Sequence, residues 1–398
     1  MESVRLLTQP QILKEWWQEV KGNFWEDDAK PYVQKLLKEL MELTMREELV
    51  IYTGRERYER TKDKQLYRNG YYRRGLITQF GTIEDIKVPT LRNSCFRTKV
   101  FRRYKRYQEI VEDLVEDIFL AGVSTRRVGE AISKLLDTKV SHGTVSNITK
   151  RLDKKVKAFH TKIILDEYQY LFLDAITLKV RYNCKYHNRK VLTAYGITVF
   201  GERHHIAFRQ SQGESSNSWE GFINDLFKRG LEGKNLRLIV IDGSKGLRNA
   251  LELVYPHVPV QRCWVHKLRN VSNYLPRRYQ EDCIAQARRI YLAENKVVAM
   301  KEFKYWIRTW SKRCPEAVKC LQKDIDELLN HFDCPKNHRK KIRTTNVIER
   351  SFREVRRRTR VFSCFSNRES CVRIIYAIFT HLNNRWKERP IKQFTEFA

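Results

Sequence analysis

Tyr170-Leu-Phe-Leu-Asp-Ala-Ile176 is an apolar run broken by one carboxylate, and Leu236-Arg-Leu-Ile-Val-Ile-Asp-Gly243 is a second that ends on another. Both runs predict strands, and a charge within the first is costly unless something cationic balances it. Working outward, Lys190–Phe200 and His204–Gln210 predict two more strands with a Gly201-Glu202 turn between them. A helix is expected over Ser216–Leu231, with Trp219, Phe222, Ile223, Leu226 and Phe227 on its apolar side. Leu247–Tyr255 predicts another helix, and Val258–Cys263 another strand.

Three strands, helix, strand, helix, strand is the order of an α/β, ribonuclease-H-like fold: a mixed sheet whose fourth strand lies beside its first. Fold alone assigns no function. The carboxylates carry more, because pairing strand four with strand one brings Asp174 and Asp242 to one edge of the sheet. Close carboxylates repel, and Mg²⁺, a hard ion that prefers oxygen ligands, relieves that repulsion. The plainer alternative is a buried, hydrogen-bonded Asp174 and a turn-forming Asp242.

A third acid stands far downstream. Thr344-Thr-Asn-Val-Ile-Glu349 opens a predicted helix that runs on through Arg356-Arg-Arg358. Asn346 and Glu349 also fit a capping box, so Glu349 has a structural alternative. Yet Glu349, Arg353 and Arg356 share one helical face, placing an acid beside bases that hold phosphate; an i, i+4 ion pair is the bland reading. Between Val271 and His338, amphipathic stretches predict a helical insert separating the second acid from the third.

The 398 residues carry a formal net charge of +31, with 41% hydrophobic and 12% aromatic residues. That composition is globular, and such an excess of positive charge points to a polyanionic partner. No run reaches the ~18 apolar residues of a membrane span, and Met1–Leu13 lacks a signal-peptide core. Nine cysteines in a chain this long suggest a reducing cytoplasm rather than a disulfide framework.

The expected domains are a helical region over 1–60, with Pro31 starting its second helix, and a DNA-binding region over 61–160. The core follows at 161–270, then the insert at 271–338 and the rest of the core at 339–398. Tyr67–Val100 predicts small β-hairpins with turns at Asn69-Gly70, Gly81 and Pro89. Arg97–Arg106 holds six basic residues in ten, among them Arg102, Arg103, Lys105 and Arg106, interleaved with Phe101 and Tyr104. Gly122–Val156 predicts a helix-turn-helix, with Ser124 and Ser141 as caps and Leu152 within the second helix. Lys and Arg exceed Asp and Glu by 11 over 61–160 and by 12 over 335–398, whereas 1–60 has a small acidic excess.

These residues bring a family into view. Arg68-Asn-Gly-Tyr-Tyr-Arg73, Gly122-Val-Ser-Thr-Arg126, Leu173-Asp-Ala175, Trp219 with Arg229-Gly-Leu231, Asp242-Gly243, Gln261-Arg-Cys-Trp-Val-His-Lys267 and Thr344-Thr-Asn-Val-Ile-Glu349 match in order along the chain. On them the sequence resembles the Mutator-type transposases of bacterial insertion sequences, over essentially its whole length. Thr90, where Arg is expected, and Ser366, where Pro is expected, depart from the pattern without touching the acids.

The resemblance implies that Asp174, Asp242 and Glu349 are catalytic and bind two Mg²⁺ ions, replaceable by Mn²⁺. Cys263 and His266 would be the family's Cys-x-x-His element and, with Arg353 and Arg356, would support the site. His266 is expected beside the acids, with Cys263 packed in the core; the alternative is a zinc site completed by Cys334 and His338. DNA contacts are expected from Arg102, Arg103, Lys105, Arg106, Arg126, Arg127, Lys150, Arg151, Arg357, Arg358 and Arg360. The implied partners are terminal inverted repeats, target DNA and further copies of the chain, in a dimer or higher assembly at the bacterial nucleoid. Strand transfer would follow 3′-end cleavage, by a copy-out, paste-in route through a circular intermediate. A ribonuclease-H-fold nuclease or junction resolvase would share the acids but not need the insert. A non-catalytic DNA-binding regulator would use the helix-turn-helix alone.

Overall fold

A computed structural model describes residues 14, 30–56, 58–59, 66–92, 96–100, 106–121, 123–360 and 364–395. The chain divides into two compact units, one formed by 1–119 with 123–151 and the other by 120–122 with 152–398. No helix of the described residues is long and apolar enough to cross a membrane.

In the first unit, helix α1 (Lys30–Thr53) packs Met45 against Leu76, Ile83, Ile86 and Val88 of a two-stranded hairpin, β1 (Tyr67–Thr78) and β2 (Gly81–Arg92). Pro31 stands in the first turn of α1, where a missing N–H costs nothing. The helix expected around Leu13 to Val20 lies outside the described residues, Lys14 apart. Instead of several small hairpins there is one long one. Asn69-Gly70 is not a turn but part of β1, where the pairing skips between Arg68 and Tyr71 and Gly70 takes a φ of 70°. A bulge uses glycine's freedom there as a turn would. Pro89 likewise sits inside β2, opposite Tyr71.

Helices α2 (Glu109–Leu120), α3 (Thr125–Leu136) and α4 (His142–Thr149) enclose Val111, Val115, Val128, Ile132, Leu136, Val145 and Ile148. Ser124 caps α3 by accepting from the Arg127 N–H at 3.4 Å, and Ser141 caps α4 by accepting from the Thr144 N–H at 3.1 Å. A side chain at Gly129 would place Cβ 2.9 Å from the Val140 carbonyl, so glycine permits the close turn between the two helices. Leu152 does not extend α4. The amides of Lys150 and Arg151 bond to the carbonyls of Asn147 and Ile148, a tightening that ends the helix, and Leu152 opens α5 (Leu152–Thr161) in the second unit.

The second unit is mixed α/β. Its five-stranded sheet begins as an antiparallel meander of β3 (Tyr168–Tyr182), β4 (Lys185–Thr198) and β5 (Arg203–Ser211). Helix α6 (Ser216–Lys228) leads to β6 (Leu238–Ile241), and α7 (Lys245–Val254) to β7 (Val260–Arg262). The order across the sheet is β5-β4-β3-β6-β7, so the fourth strand lies beside and parallel to the first, with Leu173 opposite Ile241. Alternation along each strand sorts the core onto two faces. Leu171, Leu173, Ile239 and Ile241 meet the apolar side of α6 and α7, while Tyr170, Phe172, Ile176, Leu238 and Val240 turn the other way.

After β7 the chain becomes helical: α8 (Trp264–Ser272), α9 (Arg277–Leu292), α10 (Lys296–Trp310), α11 (Pro315–Gln322), α12 (Ile325–Leu329) and α13 (Lys336–Ile342). The first five share a core around Trp264, Trp306, Trp310 and Leu321. The ends of this segment meet, since the Trp264 N–H donates to the Arg343 carbonyl at 3.1 Å. Helices α14 (Asn346–Thr359) and α15 (Arg368–Lys387) then cover the second sheet face with Ile348, Phe352, Val355, Ile375 and Phe379; a short α16 (Lys392–Thr395) follows.

Candidate active site

Asp174 follows Leu173 in β3, and Asp242 follows Ile241 at the end of β6. Because Leu173 and Ile241 are register partners, the two aspartates stand at adjacent positions of adjacent strands. Alternation turns both toward the sheet face that α14 covers. Glu349 lies in the first turn of α14, near enough for its charge, like that of Asp242, to act on Asp174, so three acids from remote parts of the sequence share one neighbourhood.

The electrostatics of the cluster follow from this arrangement. Asp174 is 9% exposed, and burial, then the charge of Asp242, pushes its carboxyl up to about 7; the charge of Glu349 adds to the rise. The Ala175 N–H, donating to Asp174 Oδ1 at 2.7 Å, and the charge of His266 oppose it. Asp242 Oδ1 accepts from the Ser244 N–H at 2.9 Å, which shapes the turn after β6. In that turn Gly243 adopts a φ of 100°, and the Arg262 guanidinium closes over it to donate to its carbonyl at 2.6 Å.

Thr345 ties the third acid to the Cys-x-x-His element. Fully buried, it donates from Oγ1 to Glu349 Oε1 at 3.1 Å and lies 3.3 Å from Cys263 Sγ and 3.4 Å from His266 Nδ1. His266 Nε2 is 3.7 Å from Glu349 Oε1. The hydrogen bond with Cys263 raises the imidazole to about 9; burial opposes this, and the charges of Cys263, Glu349 and Asp174 favour it. Burial alone would push the Cys263 thiol up, but hydrogen bonds from His266 and Thr345 outweigh it and hold the thiol below its ordinary value. The charged forms of the thiol and the imidazole thus favour each other beside the acids.

The expected capping by Asn346 does not form, because Thr345 occupies the N-cap and makes no side-chain cap bond. Cys334 and His338 turn elsewhere: His338 Nδ1 and the Tyr170 hydroxyl are 2.8 Å apart. Among the described residues no three or more His, Cys, Asp or Glu side chains are drawn together closely enough to hold a metal ion as they stand. The three acids nonetheless suit one chemically, being hard oxygen donors, one of them raised by burial and then by its neighbours' negative charge.

The rest of the Gln261–Lys267 stretch has a role that its sequence did not announce. Gln261 Nε2 and Trp264 Nε1 both donate to the Leu328 carbonyl, at 3.0 and 2.8 Å. Arg262 and Lys267 pair with buried Asp324, and Arg262 also reaches Glu327 at 3.2 Å. These four residues bolt α12 to the sheet and leave Cys263 and His266 to the acids. Thr345 was equally silent, although its i, i+4 spacing to Glu349 is visible in the sequence.

Arg353 and Arg356 are exposed on α14, one and two turns beyond Glu349. With Lys179, Arg357, Arg360 and Phe365 they line a basic cavity of about 540 Å³. Arg358 differs from its neighbours: it is 9% exposed and donates to Glu354 at 2.6 Å, so it braces the helix and presents no charge to solvent. Arg357 donates to the same carboxylate at 2.8 Å and remains exposed. Hydrogen bonds from Arg357, then Arg358, hold Glu354 down at about 2, against the effect of burial. In the first unit Arg106, Arg126, Arg127 and Lys150 are exposed. Arg151 instead pairs with Glu112 at 2.9 Å and Asp113 at 3.2 Å, tying the end of α4 to α2. Arg102, Arg103 and Lys105 lie outside the described residues.

Comparison with known proteins gives one consistent result. Residues 12–389 match the family described as Transposase, Mutator family. The transposase for insertion sequence element ISRM5 of Rhizobium meliloti (strain 1021) is 34% identical over 91% of this chain and 89% of its own length. That for IS406 of Burkholderia multivorans is 34% identical over 84% of this chain and 86% of its own. The transposase for IS256 in transposon Tn4001 of Staphylococcus aureus is 31% identical over 91% of each.

Proposed function

Because the chain belongs to the Mutator family of transposases, we propose that it is a DDE-type DNA transposase with a ribonuclease-H-like catalytic core and the acids Asp174, Asp242 and Glu349. The observation that supports this best is the nearness of those carboxylates, one from the middle of β3, one just past the end of the adjacent β6 and one from the start of α14, close enough for the charges of Asp242 and Glu349 to act on Asp174. The five-part division of the chain stays with this reading, the helical stretch over 271–338 interrupting the core and 1–60 serving contacts between copies.

The three acids would hold Mg²⁺ or Mn²⁺. Two such ions, when bound, activate the attacking oxygen and stabilise the leaving one in an in-line displacement. The protein's own residues do the rest. Arg353 and Arg356 neutralise the phosphates that flank the scissile bond. Thr345 and His266 fix the rotamer of Glu349, and Asp242 is fixed by its turn. Water cuts the phosphodiester at the element end, and the freed 3′-OH then attacks a second phosphodiester, with no covalent enzyme intermediate. Exposed Arg126, Arg127 and Lys150 contact the terminal repeats, and Arg357 and Arg360 the strand near the acids. The family resemblance favours a dimeric or larger synaptic assembly at the nucleoid and a copy-out, paste-in route.

Incubation with element-end DNA in Mg²⁺ or Mn²⁺ is expected to yield 3′-end joined products, and none in chelator. Joining at the wild-type level by Asp242→Ala would overturn the assignment. Thr345→Val keeps the shape of the residue but removes the hydroxyl, and is expected to slow cleavage about ten- to a hundredfold, as loss of a partner beside a metal ligand does. Single-turnover cleavage with circular dichroism as a fold control measures this. A rate within about twofold of wild type would remove Thr345 from the site.

A further inference from the structure

Round α14 from Glu349 lies a second basic cavity, of about 620 Å³, that the catalytic reading does not use. Arg203 of β5, Lys340 and Lys341 of α13, Arg350 of α14, Arg385 of α15 and Lys392 of α16 converge on it. Among the described residues its one lining carboxylate, Glu354, is already taken by Arg357 and Arg358. Among the described residues, no carboxylate pairs with Arg203, Lys340, Lys341, Arg350 or Arg385.

The wall also holds buried polar groups with nothing to bind. The Tyr195 hydroxyl and Ser351 Oγ, on residues 0% and 1% exposed, have no hydrogen-bond partner within the protein, and neither has Arg203 Nε. The Arg203 guanidinium is near the Tyr195 hydroxyl but off hydrogen-bonding geometry, and it lies 4.9 Å from the Trp386 ring centroid. Burial, then the charges of Arg350, Lys340 and Arg203, lowers the Lys341 ammonium below its ordinary value. Buried polar groups are rarely left unpaired, and crowded cations repel one another. One ligand class answers both: a tetrahedral oxyanion, whose several acceptor oxygens take O–H and N–H donors while its charge offsets the cations.

We propose that this cavity is a second phosphate-binding site, separate from the three acids. Its ligand is a phosphate group, borne either by a DNA backbone or by a small molecule. The cavity would hold phosphate whether or not the acids cut DNA.

Lysine footprinting of the full chain tests this. The protein is briefly labelled with an amine-reactive acylating reagent, with inorganic phosphate, with a single-stranded oligothymidylate, or with chloride at matched ionic strength, and the sites are read by peptide mass spectrometry. Lys341 is expected to be protected about fivefold or more by at least one phosphate-bearing probe, and Lys296, on the surface of the same unit, is not. Protection by inorganic phosphate as well as DNA identifies a general phosphate subsite, and by the oligonucleotide alone a backbone subsite. Tyr195→Phe, which removes the hydroxyl donor, and Arg203→Gln, which removes a positive charge, should each raise the half-protecting concentration about tenfold. No protection by either probe, equal protection by chloride, or unchanged protection in both variants would overturn the site.

Discussion

Glu349→Gln is expected to reduce end cleavage and strand transfer by about a thousandfold or more, which is a loss of about 4 kcal/mol of transition-state stabilisation. The substitution keeps size and shape, so the amide oxygen still accepts from Thr345 and α14 still packs through Ile348 and Phe352. What it removes is one negative charge from the three acids that, on the proposed reading, hold the metal ions. Binding to end DNA should stay within about twofold, or tighten slightly, because one like-charge repulsion with the backbone is gone. Single-turnover cleavage with a mobility-shift titration on the same DNA separates the two effects. A variant that cuts within about tenfold of wild type would show that Glu349 is a helix-start residue and no more.

The second large effect concerns stability in acid. His205 is 1% exposed, stacked on Phe379 at 3.8 Å, with neither ring nitrogen hydrogen-bonded. Burial, helped by the charge of His204, lowers its pKa from 6.5 to about 3. The unfolded chain therefore takes up this proton near pH 6.5 and the folded chain only near pH 3. Between those values the unfolded state binds more protons, and stability falls as pH falls, by on the order of 5 kcal/mol across the whole window. His331, lowered to about 4 chiefly by burial, acts in the same direction. His205→Phe removes the titrating group and keeps an aromatic ring against Phe379. Its tryptophan-monitored urea midpoint should decline less between pH 7 and pH 4.5 than that of the wild type. Parallel pH dependences would show that His205 finds a proton acceptor when charged.

Much of the second unit was legible because its determinants are local. The apolar runs Tyr170–Ile176 and Leu236–Ile241 marked strands buried on both faces, and strand order placed Asp174 beside Asp242. Ser124 and Ser141 announced their helices by chemistry that acts over three residues. What stayed hidden depends on partners far along the chain. Arg151 looks like its exposed neighbours until Glu112, 39 residues away, is seen to claim it. Asn69-Gly70 satisfies a turn and a bulge equally, and only the pairing partner distinguishes the two. The bolt from Arg262 and Lys267 to Asp324, and the cavity that joins Arg203 to Arg385, are assembled from residues no local window contains together.

The hydrogen bond between Trp264 and Arg343 makes the helical stretch a cul-de-sac: the chain enters and leaves by the same door. Glu349 therefore takes its position from the sheet and from Cys263 beside that door, and not from the path length behind it. The 107 positions that separate Asp242 from Glu349 in the sequence say nothing about how far apart their carboxylates are. Length gained or lost inside the cul-de-sac changes that count and leaves the carboxylates where they were. A search for such a site by fixed spacing between its acids would miss chains that share its geometry, whereas the short stretches either side of the door, Gln261–Lys267 and Thr344–Glu349, keep their meaning at any separation.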